Sequence, residues 1–151
     1  MVALAACAAG DDPTDPGADG PGLDPDVPPV ASWTGWRPPP GLTWSWQLQG
    51  DVPTDRAVDA YDIDLFDPPD VTFAALKARG VRVICYLSAG SWEEWRDDAG
   101  AFPAAVRGRP LDDWPGERWL DIRSARVVEL MEARLDRARV RGCDAVELDN
   151  V

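Results

Sequence analysis

Two pairs of carboxylates stand two residues apart within apolar runs: Asp62 and Asp64 in DIDLF, and Glu147 and Asp149 in AVELD. In an extended chain residues i and i+2 share a face. Glu147 and Asp149 are thus predicted on one side, with Val146 and Leu148 on the other. Asp62 and Asp64 oppose Ile63 and Leu65 in the same way. Carboxylates on a covered face are costly without partners, so they are either tied into a hydrogen-bonded network or kept for chemistry. The network reading has Asp64 capping a loop and Glu147 paired with an arginine. The chemical reading is glycoside hydrolysis, which uses one carboxyl as acid and another as nucleophile or base. The sequence contains no His, so acid–base work falls to Asp, Glu, Tyr or Cys, and a Ser-His-Asp hydrolase is excluded.

Trp92 and Trp95 flank Glu93 and Glu94 in a polar stretch. Indoles there either give sugar rings a flat apolar face or pack beneath a long loop. Trp44 and Trp46, at i and i+2 of a strand-like run, are expected in the core. Cys85 and Cys143 could pair outside the cytosol, but pairing geometry is strict and two reduced buried thiols are the expectation. Cysteine and carboxylate spacing suggests no metal site. Ser88-Ala89-Gly90-Ser91 has one Gly and no Lys, which excludes a glycine-rich phosphate loop.

The 151 residues carry 27 acidic against 15 basic side chains, a net charge of −12. That balance argues against a nucleic-acid backbone and against anionic lipid as partners. No run approaches the ~20 apolar residues of a membrane span, so a soluble body is expected.

Strands and helices must position the carboxylates. Leu42–Gln49 alternates apolar and polar residues and suits a strand, as do Asp62–Phe66, Val81–Leu87 and Ala145–Asp149. Pro68, Pro69 and Asp70 open a helix that stops at Gly80, and a longer helix starts near Ser124 and ends at Gly142. Val128, Met131, Leu135 and Ala138 are predicted to form its buried face. Two segments, ARGVRVICYLSAG and VRGCDAVELDN, repeat the order helix, Gly, apolar strand, polar strand end. This is the rhythm of a parallel α/β sheet, in which functional groups sit where strands end. Residues 88–123 form a long connection, which is expected to be functional or to carry short elements of its own.

Ahead of this body, residues 1–7 end in Leu4-Ala5-Ala6-Cys7, similar to a bacterial lipobox with Cys7 as lipidation site, behind a shortened signal. Residues 8–32 are expected to be a disordered tether, since residues 11–30 hold six Pro, six Asp and three Gly. Pro38-Pro39-Pro40 closes this tail, leaving roughly 110 residues for one core.

WSWQLQG, YDIDLFD, VICYLSAGSWEEWR, the stretch around GERWLDIR, and GCDAVELDNV together resemble the successive motifs of glycoside hydrolase family 114, the endo-α-1,4-polygalactosaminidase group, over residues 33–151. The resemblance implies a (β/α)8 TIM-barrel fold, a secreted or envelope-attached protein, and hydrolysis of α-1,4-linked galactosamine polymers by two acidic residues. It implies no metal or organic cofactor. By motif, Asp149 corresponds to a catalytic aspartate. Asp64, Tyr86, Ser88, Trp92 and Glu93 would line the mouth, and Glu147, on the face of Asp149, is expected to bind substrate with them. An acidic cleft suits a substrate bearing ammonium groups. A full barrel takes ~250 residues, so an N-terminal half barrel is expected, with the second carboxylate beyond Val151 and little activity from this stretch alone. The rival expectation is a non-catalytic carbohydrate-binding envelope lipoprotein. Membrane contact only through Cys7, and a monomer, complete the expectations.

Overall fold

The computed structural model describes residues 35–151; Cys7, the signal-like stretch and the tether lie outside the described residues. The alternating runs form four strands of one parallel sheet. They are β1 (Trp44–Gln47), β2 (Ala60–Asp64), β3 (Arg82–Ser88) and β7 (Ala145–Asp149). Their order is β1-β2-β3-β7, with Trp46 beside Asp62, Asp64 beside Tyr86, Tyr86 beside Glu147, and Ser88 beside Asp149. Each connection returns the chain to the same end of the sheet, as parallel pairing requires. The mixed α/β class and the parallel sheet thus agree with the sequence reading.

The helices α1 (Asp70–Ala78) and α2 (Ala125–Arg141) cover one face of this sheet. Tyr61, Ile63, Leu65, Val83, Cys85 and Leu87 of the sheet region pack there with Phe73 and Leu76 of α1 and Ala138 of α2. Burying an aliphatic side chain such as Leu76 or Ile63 contributes about 1.5–3 kcal/mol, so this layer carries much of the fold. The period-2 pattern predicts Ile63 and Leu65 inward, and both are fully buried. Strand β2 nonetheless ends two residues early. The Asp64 carboxylate accepts the N–H groups of Phe66 and Asp67 at 2.7 and 2.9 Å, and this local turn takes the donors a continuing strand would need.

The connection between β3 and α2 forms a second layer of its own. Strands β4 (Ser91–Glu93), β5 (Arg107–Pro110) and β6 (Glu117–Leu120) make an antiparallel sheet of order β4-β6-β5, with 3-10 turns at Ala99–Ala101 and Ala104–Val106. Phe102, Val106 and Leu120 of this excursion pack on Val127 and Leu130 of α2, with Trp92 and Met131 at the margin.

Three expectations are corrected. The buried side of α2 is Val127, Leu130, Arg134 and Ala138, while Val128 and Leu135 are exposed. The helix is turned by about one residue because it must face the excursion as well as the sheet, and because Arg134 reaches inward to Asp98 and the Ser88 carbonyl. Trp44 and Trp46 are more than half exposed. They stand on the sheet face opposite the helices, in line with Asp62. Cys85 and Cys143 form a disulfide rather than two thiols. Gly142, in the left-handed conformation at φ 78°, turns the chain sharply after α2 and brings Cys143 beside β3, with a Cα–Cα distance of 5.9 Å that lies within disulfide range.

Candidate active site

Asp64, Ser88 and Asp149 are the last residues of β2, β3 and β7, so the parallel register gathers them at one edge. Asp149 accepts the Tyr86 phenol at 2.8 Å and the Asn150 backbone N–H at 2.9 Å. The Asn150 side-chain amide donates to it at 3.3 Å and to the Ser88 hydroxyl at 3.0 Å. Asn150 holds φ 59°, a left-handed conformation that Asn tolerates better than most residues. The carboxylate is therefore oriented by its own neighbour and by the strand beside it. Burial, and then the hydrogen bond to Asp149, push the Tyr86 phenol well above its ordinary pKa, so it remains a donor.

A hollow of 280 Å³ opens over this group, lined by Tyr86, Leu111, Trp114, Glu117, Asp149 and Asn150. A second, of 150 Å³, shares Tyr86, Trp114 and Glu117 with it and extends to Asp64, Glu93 and Trp95. A larger hollow of 560 Å³ lies on the excursion, around Arg107, Trp119 and Asp121. The Asp121 carboxylate there is tied to Arg123 at 2.9 Å, which leaves that hollow without a carboxylate poised for chemistry.

Asp64 and Glu93 reach the cleft but are tied down beneath it. Arg96 donates to both oxygens of Asp64, at 2.6 and 2.9 Å, and pairs with Glu93 at 2.8 Å. All three side chains are almost wholly buried. Burial opposes the Arg96 charge, but its bonds to Glu93 and Asp64 outweigh it and hold the guanidinium above its ordinary pKa. Burial pushes the Glu93 carboxyl upward against the pull of Arg96 and Arg134. Removing either partner of such a buried pair strands a charge, and the network fixes the cleft floor. Asp64 thus caps a loop, as one of the two readings of the sequence has it.

Glu147 does not pair with an arginine. Its carboxylate accepts the Trp46 indole N–H at 3.4 Å and meets Asp62. Burial, followed by the Glu147 charge, raises the Asp62 pKa to about 8. These two lie deeper along the strands than Asp149, by one strand position or more on the same face. Ser88 is fully buried and supports Asn150 from below. Ser88 and Glu147, predicted with the mouth, therefore line neither hollow, and Trp92 is not brought to the cleft at all. Its indole donates to the Ala99 carbonyl at 3.0 Å, and Arg107 lies 4.3 Å over its ring. The excursion has its own small core, and the Trp92 ring is needed to close it. Trp95, weighed in the sequence as one of a flanking pair, lines the cleft instead.

Sequence reasoning missed Glu117, Trp114, Leu111, Asn150 and Arg96. Arg96, Glu117 and Asn150 all lie inside family-like motifs, VICYLSAGSWEEWR, GERWLDIR and GCDAVELDNV, and position within those motifs is the available signal. In the sequence, Gly90 speaks only against a phosphate loop. A Cβ on it would overlap the Asn150 carbonyl oxygen, so the glycine permits the close approach that seats Asn150.

An α/β sheet with an acidic, aromatic-rimmed cleft at its carboxyl edge describes a class of enzyme-like folds. Comparison narrows the class: the profile of glycoside-hydrolase family GH114 matches residues 26–151, and the chain belongs to this family. Among curated proteins no match is found. The crystal structure of Aspergillus fumigatus Ega3 in complex with galactosamine superposes with a TM-score of 0.73 at 46% identity, covering 79% of this chain and 48% of that one. The glycoside hydrolase domain of PelA from Pseudomonas aeruginosa superposes at TM-score 0.57 and 15% identity, covering 72% of this chain and 43% of that one, a likeness of fold alone. The chain thus spans about half the length of the structures it resembles.

Proposed function

We propose that this protein is a glycosidase acting on α-1,4-linked, galactosamine-containing polysaccharide, with Asp149 as one of two catalytic carboxylates. The observation that carries the reading is the 46% identity to Ega3, whose structure holds galactosamine, joined to an oriented Asp149 at the cleft. Tyr86 and Asn150 hold Asp149 as an acceptor facing the hollow, which suits a nucleophile or base more than a proton donor. Trp95 and Trp114 offer rings at the rim for sugar faces to stack on. In this reading β1, β2, β3 and β7 correspond to the first four strands of a (β/α)8 barrel, with their Asp62 and Asp149 face turned to its interior. The Cys85–Cys143 disulfide supports an oxidising location outside the cytosol, and attachment there through lipid on Cys7 belongs to the same proposal.

The test is release of reducing ends from partly deacetylated α-1,4-galactosamine oligomers, with products followed by mass spectrometry. In a protein that carries both carboxylates, Asp149→Asn is expected to abolish turnover, by about a thousandfold or more for a catalytic carboxylate, while oligomer binding persists. Binding without any cleavage by a protein that carries both carboxylates would favour a carbohydrate-binding protein over an enzyme.

A further inference from the structure

Within the cleft, the carboxylates divide into two kinds. Asp64 and Glu93 are neutralised from below by Arg96, and Glu93 also faces Arg134 at 3.7 Å. The hollow above Asp149 is lined by Tyr86, Leu111, Trp114, Glu117, Asp149 and Asn150, with no Lys or Arg among them. Glu117 is held there by hydroxyl groups. The Ser91 hydroxyl donates to its Oε2 at 2.8 Å, and the Ser88 and Ser91 hydroxyl oxygens lie 2.6 Å apart. Because the single Ser91 proton goes to Glu117, the Ser88 proton goes to Ser91. Ser88 in turn accepts from Asn150. One chain of hydrogen bonds therefore runs from the Asn150 amide through two serines to Glu117, and the same amide also donates to Asp149. The two carboxylates of the hollow are set by one rigid network, and Glu117 is itself 8% exposed.

We propose that Glu117 is the specificity residue of this cleft, its carboxylate receiving the ammonium group of a galactosamine unit whose ring rests against Trp114. The assignment rests on the galactosamine reading above and deepens it. Among the described residues Glu117 makes no ion pair with Lys or Arg, since Arg96, which lines the adjoining hollow, is taken by Asp64 and Glu93. A buried carboxylate so placed gains most from a ligand cation. An N-acetylated unit brings an amide and no charge, so Glu117 selects the deacetylated sugar over the acetylated one. Trp114, 56% exposed beside it, supplies the apolar surface that either sugar can use. Asp149 remains the reacting group, and Glu117 sets which unit lies beside it.

Titration calorimetry of the full chain with α-1,4-galactosamine oligomers and with their fully N-acetylated counterparts, at mildly acidic pH, tests this. Glu117→Gln keeps an acceptor for Ser91 and removes the charge. It is expected to weaken the galactosamine oligomer about tenfold or more, the scale of one charge-assisted hydrogen bond, and to leave the acetylated oligomer unchanged. Glu94→Gln, at an exposed carboxylate outside the hollow, is expected to change neither, which separates a direct contact from the general attraction of an acidic protein. Should Glu117→Gln melt early, Ser91→Ala gives the second reading. It keeps the carboxylate but withdraws its positioning bond, and is expected to weaken only the galactosamine oligomer, by less. Equal loss for both oligomers, or no loss for either, overturns the role of Glu117. An unaltered protein that binds neither oligomer overturns the galactosamine reading of the cleft and this assignment with it.

Discussion

Asp62 and Glu147 meet on the open face of the parallel sheet, one strand apart from direct pairing, with the Trp46 indole N–H on Glu147. Burial and the neighbouring charge raise Asp62 to about 8 from an ordinary 3.8, so over that interval the folded protein holds a proton that the unfolded chain has released. Stability from this group is complete below the ordinary value, declines as pH rises through the interval, and is spent above about 8. Asp62→Asn cannot titrate and is expected to flatten that decline, measured as the urea midpoint at about pH 5 and about pH 8.5. Equal slopes in both proteins would show that the proton resides elsewhere. At this scale the sequence was partly legible. Period-2 geometry put Asp62 with Asp64 and Glu147 with Asp149, and the structure keeps both pairs on a common face. What spacing could not foresee was the fate of each carboxylate. Arg96 takes Asp64 and Glu93, Tyr86 takes Asp149, and Glu147 meets another acid instead of a base.

The helix α2 shows how far local pattern carries an element. Its start after Ser124 and its stop at Gly142 were readable from capping residues, because those depend on a few neighbouring φ and ψ angles. Its rotation was not, because an amphipathic helix with apolar residues at both 127/130 and 128/135 can present either stripe, and the partner decides. Here the partner is the excursion, whose Phe102, Val106 and Leu120 meet Val127 and Leu130. Leu130→Ala is expected to destabilise the protein by about 2–4 kcal/mol, whereas Leu135→Ala, at a site 41% exposed, costs under about 1 kcal/mol. Chemical denaturation of the two variants checks this, and the reverse order would mean that the helix sits as its periodicity first suggests. The excursion itself was expected only as a long connection that carries function or short elements. Strands of three and four residues leave almost no periodic signal, yet β6 delivers Glu117 to the cleft.

Across the whole molecule, one covalent link joins the sheet to the end of α2. The Cys85–Cys143 disulfide closes a loop with sequence separation 58 that contains the entire excursion and the long helix. A cross-link of that span restricts the unfolded chain, and its removal is expected to cost about 2–4 kcal/mol. Cys143→Ser and the unaltered protein in strong reductant should therefore melt at a similarly lowered temperature. A melting temperature indifferent to reductant would refute the cross-link's contribution. The molecule is layered, with helices on one face of the parallel sheet and the carboxylates and exposed tryptophans on the other. The proposed activity depends on that division, since a polar sheet face beside a strand-end cleft is where an extended sugar chain can be met by both acids and rings.

The linear sequence by itself determined the α/β rhythm, the four main strands, the two helices and the carboxylates at the strand ends. Each of these follows from periodicities of two and 3.6 residues and from capping glycines, which act over a handful of neighbours. Only the tertiary structure decided the partners: Arg96 to Asp64 across 32 residues, Tyr86 to Asp149 across 63, and Asn150 to Ser88 across 62. Only it decided the turn of α2, the disulfide and the arrival of Glu117. Such contacts arise from packing between distant segments, where burial and charge compensation choose among several arrangements that local pattern leaves equal.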